Sequence, residues 1–400
     1  MVAVTTVAAL VVAAVASLFM AWAIGAGSSG STPFAPAVGA NAISVMRAGF
    51  FVGILGFAGA VLQGQGVTEA VGTQLIVGQT LTTTAAVVGL LTAGGLVAVG
   101  VFAGYPIATA FTVTGAVVGV GLALGGEPAW AKYQQIAALW VLTPFFGGGV
   151  AYATARFLRD ERVPESLAVP FLAGLVGAIV ANVEFSLLRV DGEPASIAAA
   201  GADALVLPRL GGAGGLDLGV LLVTLAVAGL VTLALWRDIA ADQARGQRHF
   251  LLALGALVAF SAGGSQVGLA IGPLVPLLDE VTVPILALLV GGGLGLLAGS
   301  WTGAPRMIKA LAQDYSSLGP RRSIAALIPS FAIAQTAVAL GVPVSFNEII
   351  VSAIVGSGYA AGGAGVSREK MLYTVAAWVG SLALALGLGY GVFTAVDAVL

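Results

Sequence analysis

Apolar residues run along this chain in about twelve long stretches, near 3–24, 36–63, 84–104, 107–124, 134–157, 166–187, 217–236, 250–275, 283–302, 323–342, 343–362 and 370–396. Segments 3–24, 84–104 and 371–396, and 217–236 beyond its first residue Asp217, hold about twenty residues without a charge. That length crosses a hydrocarbon core of ~30 Å at ~1.5 Å per residue. No polar amphipathic helices are left over to surround a soluble core. The pattern predicts an all-α polytopic membrane protein of about 10–12 transmembrane segments. Several segments are short or glycine-broken and read as broken or re-entrant helices.

The stretches repeat. Pro106 returns as Pro343, Gly119 as Gly356 and Gly121 as Gly358, each 237 positions later. Gly25, Lys132 and Trp140 return as Gly263, Lys370 and Trp378, each 238 later. Paired Gly/Pro interruptions in two halves of a membrane protein point to a transporter's binding site. The expected organisation is a first repeat over 1–160, connecting spans and a cytoplasmic linker over 161–249, and a second repeat over 250–400. If the repeats are inverted, their Gly-rich breaks approach the membrane midplane from opposite faces.

Composition agrees with the pattern: 59% of residues are hydrophobic and 8% charged, against roughly a quarter charged in an average soluble domain. The first stretch lacks the basic start of a signal peptide, because no Lys or Arg precedes Arg47, and it reads as the first span. With no cysteine and one histidine, His249, the chain offers no disulfide framework, thiolate nucleophile or histidine cluster. No cofactor and no nucleic-acid partner is expected. Basic residues gather as Arg156, Arg159 and Arg162; Arg237, Arg245, Arg248 and His249; Arg306, Lys309, Arg321 and Arg322; and Arg368 with Lys370. Two apolar stretches separate successive clusters, so all four fall on the cytoplasmic side of a cell membrane. The small-residue linker 188–216 then faces outward as an exposed connection.

Two pairs of breaks carry the candidate chemistry. The first is Gly25–Gly39 with Gly263–Pro273. Irregular backbone at membrane depth is tolerated where it is buried in protein or lines a cavity. A helix starting after such a break offers free N–H groups and a positive dipole end to an anion. Ser28, Ser29, Ser31 and Thr32 add hydroxyl donors, and Ser265 and Gln266 do so in the second copy; the alternative is close helix packing through small residues. The second pair is Pro106–Phe111 with Pro343–Glu348, each proline read as sitting in the first turn of a helix that starts inside the membrane. Thr109, Ser345 and Asn347 follow within one turn, where each either reaches a ligand or caps its helix. Glu348 lies in an otherwise apolar stretch, and an intramembrane carboxylate is functional by default. It is the candidate for coupling protons, with a structural hydrogen bond as its alternative. Neither motif pair contains Arg or Lys, so an anion would be held by backbone and hydroxyls.

At these residues the chain resembles the PiT family of inorganic phosphate transporters, whose halves each carry a motif close to GANDVANA. Phe260–Leu274 reads FSAGGSQVGLAIGPL in the frame of that motif's second copy. AWAIGAGSSGSTPFAPAVG from Ala21 matches the first copy with one inserted residue. The runs Pro106–Phe111 and Pro343–Glu348 match the family's P-V-S-T-T-H runs, and GSWTGAPRMIKALA and SLGPRRSIAALIPS its cytoplasmic connection. The resemblance covers nearly the whole chain. It implies two inverted repeats, alternating access, inorganic phosphate or a related sulfate as substrate, and a homodimer.

The departures concern the site. The family's Asn-Asp pairs stand here as Gly27-Ser28 and Ser265-Gln266, and its motif-end histidines as Phe111 and Glu348. Loss of both carboxylates weighs against sodium as the coupling ion and leaves the proton as the other choice. Hydrogen phosphate carries a proton and needs one acceptor, whereas sulfate wants donors only. The expectation is a secondary active transporter of an inorganic oxyanion, phosphate first and sulfate second. A transport-inactive sensor or scaffold and an anion channel are the rival classes. An enzyme is not expected, since the spans supply neither a metal cluster nor paired carboxylates.

Overall fold

The structure is a computed structural model that describes residues 4–207, 217–280, 283–314, 318–362 and 368–399. From the N-terminus, α1 (Val4–Gly27) leads through a turn to α2 (Ala35–Gly39), α3 (Val45–Gln63) and α4 (Gln65–Thr73). Strand β1 (Ile76–Val77) pairs antiparallel with β2 (Glu127–Pro128), and between them lie α5 (Thr83–Ala103) and α6 (Thr109–Ala123). Next come α7 (Trp130–Phe157) and α8 (Glu165–Ala181), the hairpin of β3 (Glu184–Val190) and β4 (Glu193–Ser196), and α9 (Ile197–Ala204). The chain continues through α10 (Leu218–Ala241), α11 (Gln243–Ile271), a 3₁₀ segment (Gly272–Glu280), α12 (Ile285–Thr302) and α13 (Ala304–Asp314). It ends with α14 (Pro320–Ala339), α15 (Phe346–Tyr359) and α16 (Arg368–Asp397).

Among the described residues, nine helices are long and apolar enough to cross a membrane, and α6 and α8 are shorter apolar helices. Every apolar stretch of the sequence coincides with a helix. The stretch 166–187 and the linker differ in detail. Helix α8 stops at Ala181, and the chain turns into the β3–β4 hairpin, then into α9, whose start is capped by the Ser196 hydroxyl accepting from Ala199 N–H at 3.1 Å. The rest of the linker, 208–216, lies outside the described residues.

The halves interlock through reciprocal contacts between equivalent elements. Helix α1 packs on α12 while α11, its counterpart, packs on α3; α6 packs on α16 while α15 packs on α7. A β-carbon at Gly119 would run into the carbonyl of Leu386, and one at its counterpart Gly356 into that of Gly148. Only glycine lets these backbones approach so closely, which is how helices associate where lipid supplies no hydrophobic drive. Trp140 donates its indole N–H to the carbonyl of Pro343 at 2.9 Å, and Trp378 donates to that of Pro106 at 2.9 Å. Each half therefore clasps the broken segment of the other.

Basic loops meet at one end of the molecule. Arg321 makes a forked pair with Glu165 at 2.8 and 2.7 Å, and Gln243 donates to the same carboxylate at 2.9 Å. Arg159 lines the same hollow. Three of the four basic clusters thus share one face. The side chains of Arg368 and Lys370 lie outside the described residues.

Candidate functional site

Two short helices, α6 and α15, begin inside the protein at the buried residues Thr109 and Phe346. Helix α5 ends at Gly104 in the left-handed region (φ 74°), and Tyr105–Ala108 follow without helix or strand, Ile107 N–H donating to the Tyr105 carbonyl at 3.0 Å, before α6 begins at Thr109. Helix α14 ends beside Gly341 (φ 57°), and the chain runs extended to Ser345 before α15 begins at Phe346. Neither proline occupies a helical first turn, contrary to the sequence reading. Pro106 and Pro343 each stand three residues ahead of the helix. Their non-helical segments persist because side chains take up the carbonyls: Trp378 that of Pro106, Asn347 that of Ile107 (2.7 Å), Trp140 that of Pro343, and Gln266 that of Val344.

The first pair of breaks also differs from expectation. Helix α1 continues through Gly25 to Gly27, and α11 runs unbroken through Gly263, Gly264 and Gly268 to Ile271. A β-carbon at Gly25 would strike the Leu296 carbonyl, and one at Gly263 the Gly56 carbonyl. Close packing is the role of these two glycines. The helix N-termini at this depth belong to α6 and α15, whose first N–H groups have no partner within their own helices.

Four of the candidate residues converge. Thr109 donates to Gln266 Oε1 at 2.8 Å, Ser28 donates to the same oxygen at 3.2 Å, and the Thr109 and Ser28 hydroxyls lie 3.3 Å apart. Asn347 bridges the first half's backbone, donating to the carbonyls of Gly27 (3.0 Å) and Ile107. Ser28, Thr109, Gln266 and Asn347 are all fully buried. Two of them come from each half, so the cluster sits on the seam of the repeat, and Ser28 and Gln266 are themselves counterparts 238 positions apart.

The remaining candidates divide. Ser29 and Ser265 flank Ser28 and Gln266 in the chain, and their buried hydroxyls have no hydrogen-bond partner. Such groups cost about 1–3 kcal/mol each when left unsatisfied. Ser31 and Thr32 turn back onto the Ser28 carbonyl at 3.2 and 3.0 Å and stabilise the turn after α1. Ser345 caps α15, accepting from Glu348 N–H at 3.5 Å. Glu348 follows Asn347 by one helical step, about 100° around the axis. Its carboxyl lines a separate cavity of about 790 Å³, together with Phe111, Trp140 and Trp378, and one of its oxygens has no partner. Phe111, the counterpart of Glu348 in the first half, stacks on Trp140 with centroids 3.8 Å apart.

A second polar group was passed over in the sequence. Gln335 donates to Ser261 at 2.6 Å and lies 3.3 Å from Gln63 Oε1, while Gln63 donates to the Glu184 carbonyl at 2.8 Å. Both glutamines line a polar cavity of about 1000 Å³ beside the β3–β4 hairpin. Ser261 stands one helical turn from Ser265, so this group leads from that cavity toward the buried cluster. The signal was an uncharged amide inside an apolar run, which a search for glycine and proline breaks overlooks.

Interlocked repeats, broken helices and a sealed polar cluster on their seam define a multi-pass membrane transporter. The Phosphate transporter family matches residues 24–389, and the chain belongs to that family. It is 26% identical over 401 residues to the chloroplastic inorganic phosphate transporter 2-1 of Arabidopsis thaliana, covering 90% of this chain and 68% of that one. A Thermococcus kodakarensis protein bearing a phosphate-permease name is 24% identical, with 92% and 93% covered. The solved structure of a sodium-dependent phosphate transporter superposes with a TM-score of 0.80 at 21% identity, covering 98% of this chain and all of that one. At that identity the structural match speaks for the fold.

Proposed function

We propose that the protein is a secondary active transporter that carries phosphate across the cell membrane by alternating access between two inverted repeats. One observation carries the reading: two hydroxyls of the first half, Ser28 and Thr109, converge across the seam on a single buried oxygen of the second half, Gln266 Oε1. An oxygen of a bound oxyanion takes the place of that amide oxygen. Ser29 and Ser265, with their idle hydroxyls, and the first N–H groups of α6 and α15 complete a shell of donors. The cluster is sealed from both faces, which suits an occluded arrangement. Substrate binding swings the Gln266 side chain off the two hydroxyls, and its loss from the Val344 carbonyl loosens the segment ahead of α15.

The reciprocal packing of α1 on α12 and α11 on α3 supports the inverted relation, with residues 1–160 and 250–400 as the two transport units. Glu348 is the proposed proton carrier. Glu348 lines a cavity beside the helix that presents Asn347 to the cluster, and one of its carboxyl oxygens is buried without a partner, so a proton there adjoins the anion site without occupying it. No resident cofactor is required. The donor set also accommodates sulfate, which needs no acceptor.

Uptake of labelled phosphate and labelled sulfate into proteoliposomes, each with and without sodium and a proton gradient, tests the reading. Concentrative phosphate uptake abolished by a protonophore is expected. Uptake of neither anion would sink transport, and sodium dependence without proton dependence would remove Glu348 from coupling.

A further inference from the structure

The polar cavity of about 1000 Å³ beside the β3–β4 hairpin lies away from the basic loops. Arg321 and Gln335 are fourteen residues apart on α14, and Gln247 and Ser261 fourteen on α11, about 21 Å along each helix. The basic loops assign the far end to the cytoplasm, so the cavity belongs to the outer side. Gln63, the last residue of α3, and Gln335 both line it and pair reciprocally across the seam. Gln335 Nε2 lies 3.3 Å from Gln63 Oε1, and Gln63 Nε2 lies 3.5 Å from Gln335 Oε1. Both distances are long for a hydrogen bond. Each amide holds a shorter bond on its own side: Gln63 to the Glu184 carbonyl at 2.8 Å, and Gln335 to Ser261 at 2.6 Å. The pair can therefore part at the seam while each amide stays anchored. Behind it the chain is closed. Ser261 and Ser265 are fully buried, and a β-carbon at Gly264 would meet that of Gln63 at 2.8 Å. Gln63 thus rests on the residue before Ser265, whose hydroxyl is idle, and Gln266 comes next.

On the reading of the protein as a transporter, we propose that the Gln63–Gln335 pair is the outer gate, where the anion passes from this cavity to the buried cluster. One amide comes from each half, so a movement of the halves relative to each other breaks the two long contacts and no others of the pair. The parted amides then offer N–H groups to the anion, as does the idle Ser265 hydroxyl beyond them. Glu69, Glu184, Glu193 and Arg189 give the cavity a charged wall. The gate itself is neutral, and a carboxylate in place of either amide would repel the anion at its narrowest point.

The chain contains no cysteine, so Ser265→Cys places a single thiol behind the pair. Full-length protein carrying it is labelled in right-side-out and inside-out vesicles with membrane-impermeant anionic and cationic methanethiosulfonates. From the outer face the parent labels slowly, and adding Gln335→Ala or Gln63→Ala speeds the anionic reagent about tenfold or more. From the inner face the rates stay as in the parent. The two alanine variants open the pair from either side, so one that fails to fold leaves the other to decide. Gln335→Glu keeps an acceptor for the Gln63 amide and adds a negative charge; it should raise the KM for phosphate without speeding the labelling. Rates unaltered in both alanine variants overturn the proposal, because the pair then closes nothing. Equal acceleration from the inner face overturns it too, because loss of the pair then merely loosens the helices. Acceleration of the cationic reagent alone, or an unchanged KM in Gln335→Glu, overturns passage of the anion at this point. Labelling needs no substrate, which keeps the two readings apart. Uptake of neither phosphate nor sulfate sinks transport whatever the labelling shows, whereas uptake with ungated labelling sinks the gate alone.

Discussion

The two broken segments, one ahead of α6 and one ahead of α15, share a backbone and differ in chemistry. Both leave a helix at a glycine with positive φ, pass through a proline outside any helix, and are clasped by a tryptophan from the opposite half. Yet position 111 holds a phenylalanine stacked on Trp140, while its counterpart 348 holds a carboxyl with an idle oxygen. Position 110 is alanine, while 347 is the asparagine that fastens both Gly27 and Ile107. Duplication preserved the frame, and the acid and the amide sit in the second copy only. On the proposed reading, an anion moved with one proton needs one carboxyl, and the second copy supplies it.

The comparison breaks most readily at the frame. Gly356→Val or Gly119→Val forces a side chain into the opposing carbonyl, and each is expected to lower stability by about 3 kcal/mol or more. Loss of monodisperse protein in size-exclusion chromatography for both would show that the frame is equally tight in the two halves. A fall for only one would show that the symmetry is superficial. Next in size is Glu348→Gln, expected to bind phosphate like the wild type but to lose its pH-dependent accumulation. Phe111→Gln should leave that pH dependence in place. If Glu348→Gln accumulates phosphate with an unaltered pH profile, the asymmetry has no part in coupling. Thr109→Val removes one of the two hydroxyls aimed at Gln266 Oε1, and phosphate affinity should fall roughly five- to tenfold with little change in melting temperature. Unchanged affinity would place the anion elsewhere. The smallest effects belong to the clasps: Trp140→Phe and Trp378→Phe each delete one hydrogen bond to a proline carbonyl, about 1 kcal/mol apiece. Equal drops in melting temperature would sharpen the equivalence.

Much of this architecture could be read before any coordinates. Span length and the 237-residue recurrence placed the helices, because membrane crossing fixes how long an apolar run must be. Gly25 and Gly263 misled, since glycine marks a break and a close helix contact alike, and only the positions of Leu296 and Gly56 tell which. The prolines misled by three residues, because the carbonyls they leave exposed are taken by side chains from more than two hundred residues away. Ser28, Thr109, Gln266 and Asn347 were recognisable as polar residues at paired breaks. That the first two spend their protons on the third is a matter of tertiary geometry, which no spacing reveals. Gln63 and Gln335 lay in unbroken helices and gave no local signal beyond their polarity.

The reciprocal clasps also have a consequence in time. The carbonyl of Pro106 is delivered to the membrane 272 residues before Trp378, the donor that takes it up. At the ~5–20 residues per second of synthesis, this amounts to a wait on the order of tens of seconds. During that wait the first half lies in the bilayer with its broken segment open and its tryptophan idle. The first half therefore stays unfinished until α16 has been made, and termination anywhere before Trp378 leaves the Pro106 carbonyl without its donor.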